Sequence, residues 1–202
     1  MTVTSKPGGR GRPPTHSARS HAKIIDTVYA LLLQKSIRDL SMEEVAKQAG
    51  VGKQTLYKWW PTKAALAMAM FHERMGAHLE SMQSTSAEQA IRERVRRVIV
   101  AFQGPLGKIM ADLIAEGQSE PDILRALYER HINDRRLATI DEIEGGKRSG
   151  ELRPDTDAGL LVDAVFGAIY YRLLLKSAPL SEQFGDDLVD QALRGLRSVT
   201  TA

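Results

Sequence analysis

The chain contains no cysteine, which excludes disulfides and every thiolate metal site. That absence fits a reducing compartment. Nothing near the start reads as a secretory leader: Lys6, Arg10, Arg12, Arg19 and Lys23 are scattered there with no apolar run beside them. No uninterrupted apolar run reaches the roughly 18 residues of a membrane span. The longest apolar-rich stretch, Ala158 to Leu175, is broken by Asp163 and Arg172. A cytoplasmic protein without a membrane partner is therefore expected. Catalytic signatures are missing too: there is no nucleophile elbow, Walker A loop, dinucleotide fingerprint or His-Glu-x-x-His. Gly8-Gly9-Arg10-Gly11 is glycine-rich but comes after no strand. His72 and His78 would fall on different faces of a helix, which argues against a shared metal. Asp141-Glu142-Ile143-Glu144 reads as a solvated helix face. The expectation is no enzyme, no cofactor and no metal.

What is present is a chain of 202 residues, 43% hydrophobic and 26% charged. It can bury a real core and suits one large domain, or a small domain joined to a larger one. The charge is uneven. Residues 1–60 hold 10 Lys+Arg against 4 Asp+Glu, whereas residues 61–202 hold 18 against 21. A basic front on an acidic back suggests a nucleic-acid-binding part joined to a part with another task.

The periodicity is helical throughout, with no convincing strand pattern. Residues 1–16 have a composition that reads as a disordered basic arm. Ile24, Ile25, Val28, Leu31 and Leu32 form one apolar stripe in a helix from Ser17 to about Lys35. Ser41 with Glu44, and Ser86 with Gln89, have the spacing of capping boxes. Thr62 is a plausible N-cap. One long helix is expected to start after Ser119 and end near Gly146. Two more, from about Thr156 to Lys176 and from about Ser181 to Arg197, complete the chain.

The segment Met42–Trp60 is the most informative. Two short helices that cross closely need a small residue at the crossing, which Ala46 supplies, and a left-handed turn, which Gly50 supplies. Val45, Ala49, Val51 and Leu56 would hold the pair to the preceding helix. The second helix then offers polar groups outward: Gln54 suits a base edge, the Thr55 methyl a thymine, and Lys53, Tyr57, Lys58 and Lys63 suit phosphates. The alternative is an ordinary helical hairpin with a solvated basic face. The amphipathic helix before it, Lys63 after it and the charge asymmetry favour DNA.

Leu40-Ser41-Met42-Glu43-Glu44-Val45-Ala46-Lys47-Gln48-Ala49-Gly50-Val51, followed by Thr55-Leu56-Tyr57-Lys58-Trp59-Trp60-Pro61-Thr62-Lys63-Ala64-Ala65-Leu66, resembles the TetR family of bacterial regulators. The resemblance is specific over residues 17–66 and loose beyond. It implies an all-α fold: a three-helix helix-turn-helix domain over 17–66 and a larger helical-bundle ligand-binding and dimerisation domain over 67–202. It also implies a homodimer on a palindromic operator and, in most members, repression relieved by a small molecule. Carried over, the DNA contacts fall on Thr55, Tyr57, Lys58, Trp59 and Lys63, together with Ser41, Lys53 and Gln54. Gly52 departs from the family by replacing a common Ser. Trp59-Trp60 replaces a Tyr-Phe or His-Phe pair, with Trp60 expected inward and Trp59 near the DNA backbone.

Arg10 and Arg12, in Gly9-Arg10-Gly11-Arg12-Pro13-Pro14, resemble the core of an AT-hook that enters a narrow minor groove. A solvated tail is the alternative. In the rear domain, Gly159, Ala164, Gly167 and Ala168 would let helices approach closely. With the last helix they suggest a four-helix interface between two chains. Phe102, Met110, Leu113, His131, Phe166 and Tyr170 are candidates to line an effector pocket, although each alone reads equally well as core. Two other readings stay open: a constitutive or architectural DNA-binding protein without an effector, and an interaction module with a vestigial helix-turn-helix.

Overall fold

The computed structural model describes residues 15–78 and 84–196, with side chains over 18–76 and 84–196. Arg10 and Arg12 lie outside the described residues. Among the described residues the chain forms ten α-helices and no strand. They are α1 Thr15–Gln34, α2 Met42–Ala49, α3 Lys53–Trp59, α4 Lys63–His78, α5 Ala87–Gln103, α6 Pro105–Ser119, α7 Pro121–Leu127, α8 Asn133–Ser149, α9 Ala158–Leu175 and α10 Glu182–Leu193.

The front unit is built on its apolar stripes. Ile24, Ile25, Val28, Leu31 and Leu32 of α1 are all buried, as are Val45, Ala46 and Ala49 of α2 and Leu56 of α3. Each such Val, Leu or Ile contributes roughly 1.5–3 kcal/mol by leaving water. Ser41 caps α2 by accepting from the Glu44 amide at 3.2 Å. The reciprocal half of that capping box is not made. The Glu44 carboxylate instead accepts from Lys35 Nζ at 2.8 and 2.7 Å, tying α2 to the end of α1. Thr62 Oγ1 accepts from the Ala65 amide and starts α4.

α4 crosses the domain boundary placed at residue 66 and joins the two parts. It packs on α1 in front and on α5, α6 and α7 behind, and Leu66, Met70 and Phe71 are fully buried in the core shared by both. Arg74 of α4 pairs with Asp26 of α1 and lies over the Tyr29 ring. A second tie comes from α6. Lys108 Nζ donates to the carbonyls of Leu32 and Lys35, at 3.4 and 3.1 Å, at the C-terminal end of α1.

Behind α4, α5 packs against α6, α8, α9 and α10. At Gly104-Pro105 the path turns by 86° from α5 into α6. Gly107 makes the elbow possible, since a Cβ there would run into the Phe102 carbonyl. Ser86 caps α5 through the Gln89 amide, but Gln89 Oε1 accepts from Thr85 rather than from Ser86. Glu151 adds a cap from afar, accepting from the Ala87 and Glu88 amides at 2.8 Å each. That arrangement puts a carboxylate at a helix N-terminus, where the backbone dipole favours it.

One expectation is corrected here. The single helix placed between Ser119 and Gly146 is interrupted by a π turn, Tyr128–Ile132, between α7 and α8. The extra residue in that turn shifts the helical phase and sends His131 inward. Ala158–Leu175, which contains Asp163 and Arg172, forms one helix with a mean hydropathy of 1.6; by length and composition it could cross a membrane, a test that the core helix of a soluble protein also passes. Its charges are satisfied within the protein: Asp163 pairs with Arg136, and the Arg172 guanidinium stacks 3.5 Å over the Phe184 ring.

Candidate nucleic-acid interface and interior cavity

The geometry of the α2–α3 corner rests on Gly50. Its φ of 65° and ψ of 38° are left-handed, and the chain closes with Val51 N donating to Ala46 O at 3.0 Å. A side chain there would be strained and would also crowd Lys23 Nζ at 3.3 Å. Lys23, on α1, thus reaches the corner from a position 27 residues earlier in the chain. No local pattern points to it. α3 starts at Gly52 without a side-chain cap.

Leu56 is fully buried and pins α3 to the unit. Around it Gln54, Thr55, Tyr57 and Lys58 are exposed, Tyr57 at 45%. These four, half of the sequence-derived set that falls among the described residues, form one open face with an amide, a hydroxyl, a phenol and an ammonium. The other half is engaged. Ser41 Oγ is occupied as the α2 cap. Lys53 Nζ donates to Glu43 Oε1 at 3.0 Å and holds that exposed carboxyl below its usual range. Lys63 Nζ donates to the Arg38 carbonyl at 2.5 Å. Trp59 is half-buried, edge-on to the buried Trp60 with 5.6 Å between ring centres. His21 packs on both rings and pairs with Glu73 of α4. The inward place of Trp60 agrees with the sequence reading.

A second feature lies inside the rear domain. A cavity of about 250 Å³ opens between α4, α5, the π turn, α8 and α9. Phe102, His131, Phe166 and Tyr170 line it, and Met75, Val98, Ile132 and Val162 extend its apolar wall. Met110 and Leu113 do not line it. Both are completely buried in the core. Sequence reasoning missed the cations: Arg94, Arg135 and Arg136 also face the cavity, with Thr139 and Asp163.

Burial governs the cavity's chemistry. Desolvation, aided by the charges of Arg135 and His72, pushes His131 down from 6.5 to about 3, so its imidazole is neutral. Burial likewise pushes the Tyr170 phenol up to about 12. His131 stacks edge-on with Phe71 at 4.6 Å. Arg135 Nη1 lies 2.6 Å from His131 Nδ1 and donates to the His131 carbonyl at 2.6 Å. Arg94 Nη2 donates to Glu142 Oε1 at 2.5 Å, while Arg94 Nε and Glu142 Oε2 are closed off without partners. Arg136 makes a two-pronged pair with Asp163 at 3.1 and 3.2 Å.

A short exposed polar helix at a glycine corner, held by a three-helix unit ahead of a larger helical bundle, defines a helix-turn-helix DNA-binding regulator. Similarity to known proteins narrows the class. Residues 24–70 match the model for bacterial regulatory proteins of the tetR family, and residues 82–192 match the tetracyclin repressor-like C-terminal domain. The uncharacterized HTH-type transcriptional regulator YdeS of Bacillus subtilis is 30% identical over 191 residues, 95% of this chain and 96% of that one. The crystal structure of the TetR family transcription regulator SCO0332 superposes with a TM-score of 0.73 at 31% identity, covering 88% of this chain and 98% of that chain. The transcriptional regulator FadR from Bacillus subtilis, solved in complex with stearoyl-CoA, shares the fold at a TM-score of 0.65 and 20% identity, covering 87% of this chain and 98% of that one. The chain belongs to the TetR family of transcriptional regulators.

Proposed function

We propose that the protein is a cytoplasmic homodimeric repressor that holds a palindromic operator and lets go when a small molecule fills the rear cavity. The observation that carries this is the pairing, in one chain, of an open polar face on α3 with a separate interior chamber, α4 packing against both parts. In this reading Gln54 and Thr55 meet base edges, Tyr57 and Lys58 meet phosphates, and Lys53, Lys63 and Trp59 set the helix in place. Arg10 and Arg12 reach the minor groove beside the site.

The dimer is supported by the outer face of α9. Leu160 is 67% exposed, Leu175 63%, and Tyr171 and Leu174 are also open, with Ala164 and Gly167 between them. A stripe of large apolar side chains around small ones suits close packing against a second copy of α9 and α10. Two recognition helices would then meet two half-sites about one DNA turn apart.

Selection of bound DNA from a random pool by the full-length protein tests the reading. A two-fold symmetric consensus is the expected result, and its absence would overturn the dimeric operator model. A dimer whose affinity for that consensus never falls, across a broad ligand screen, would leave a constitutive or architectural DNA-binding protein instead.

A further inference from the structure

Three guanidinium groups border the cavity, and they differ in their partners. Arg94 is paired with Glu142 and Arg136 with Asp163. Arg135 makes no ion pair among the described residues. One of its two terminal nitrogens is taken up by the ring and carbonyl of His131. The groups that favour its charge are the Tyr170 phenol, which burial keeps protonated, and the exposed neighbour Asp134, neither of which forms an ion pair with it. His131, neutral, supplies no countercharge.

Burial makes the guanidinium charge costly, yet an arginine does not give up its proton. A cation in an apolar chamber without a counterion is an expensive arrangement that an incoming anion would relieve. The walls on the other sides are Val98, Phe102, Val162 and Phe166, which suit a hydrocarbon body. We infer that the cavity binds an amphipathic monoanion, a carboxylate on an apolar body, with Arg135 as its anchor. The inference rests on the reading of this cavity as the effector site.

The charge balance selects among anions. Arg94 and Arg136 are already matched one-to-one by carboxylates, so one positive charge is in surplus. A monocarboxylate neutralises it and accepts two parallel hydrogen bonds from the planar fork. A dianionic phosphate would leave one negative charge unmatched in the chamber. A neutral alcohol would leave the cation as costly as before.

The test uses full-length protein and isothermal titration with octanoate, decanoate and dodecanoate, each beside the alcohol of the same length. The carboxylates are expected to bind more tightly than their alcohols. Arg135→Met should weaken carboxylate binding about ten- to hundredfold, the range of a charge-assisted hydrogen bond, and leave the alcohols unchanged. Arg135→Lys, which keeps the charge without the fork, should retain part of the difference. Unchanged alcohol binding in Arg135→Met reports that the cavity is intact.

Equal affinity for acid and alcohol, no effect of Arg135→Met on the acids, or no binding of either series would each overturn the inference. Operator affinity measured in the same samples separates the two readings. Alcohols that release DNA while acids do not would keep the effector site and remove the carboxylate. Acids that bind through Arg135 without changing operator affinity would keep the carboxylate and remove the effector role.

Discussion

The front and rear of the molecule treat charge in opposite ways. On α3 the polar groups stand in water: Gln54, Thr55, Tyr57 and Lys58 are exposed around one buried leucine. Solvent keeps them charged or hydrogen-bonded at little cost, and their removal leaves nothing stranded. At the cavity several polar groups are drawn away from water: His131 is buried, Arg135 half-buried, and Arg94 and its partner Glu142 each carry an enclosed atom with no hydrogen-bond partner. There every charge must be matched or it lowers stability. The front presents its polar groups to the outside, and the rear holds one cation, Arg135, without an ion pair among the described residues.

Mutation and pH can break this contrast. The largest effect is expected at Leu56→Ala, which empties the fully buried site that anchors α3. It should cost ~2–5 kcal/mol, read by thermal unfolding, and abolish operator binding. Next comes acid. His131 is held at about 3 in the folded chain against an ordinary 6.5, so between those values the unfolded chain binds more protons. Stability is therefore full above 6.5 and falls as pH drops toward 3, by up to ~3 kcal/mol near pH 4. Denaturant titrations across that window should show the slope, and His131→Asn should flatten it.

Smaller and more diagnostic is a pair of arginine substitutions in ligand-free protein. Arg94→Met strands the Glu142 carboxylate and should cost ~1–3 kcal/mol. Arg135→Met strands no carboxylate and should be neutral or slightly stabilising; an equal loss from both would erase the distinction drawn between the two cations. Smallest is Lys58→Ala at the front. Its stability change should stay within ~0.5 kcal/mol. The log–log salt slope of operator binding should drop by about 0.9, the signature of one lost phosphate contact.

The two regions also differ in how far the sequence reveals them. The α2–α3 corner is built from neighbours in the chain: Ser41, Ala46, Gly50 and Leu56 act within a few residues of one another, so spacing alone locates them. What spacing could not show were the long-range engagements, Lys63 with the Arg38 carbonyl and Lys23 beside Gly50. The cavity draws its walls from five separate elements, so helical periodicity could nominate Phe102, His131, Phe166 and Tyr170 but gave Met110 and Leu113 equal standing. Those two turn into the common core instead. Arg94, Arg135 and Arg136 escaped notice because a charged residue on a helix reads as surface. The π turn that carries His131 inward escaped because every residue of Tyr128–Ile132 is also compatible with an α-helix.

The elbow between α5 and α6 has a mechanical consequence. Phe102 forms part of the chamber wall, and only six residues later Lys108 grips the last carbonyls of α1. Any side chain at Gly107 would collide with the Phe102 carbonyl, so this bend requires glycine. In the proposed effector reading, a ligand that displaces the Phe102 ring acts at the start of this elbow. The same elbow leads through Lys108 to the end of α1, which itself packs on α2 and α4. The chamber wall and the DNA-binding unit are thus joined by a covalently short path, one bend and one lysine long.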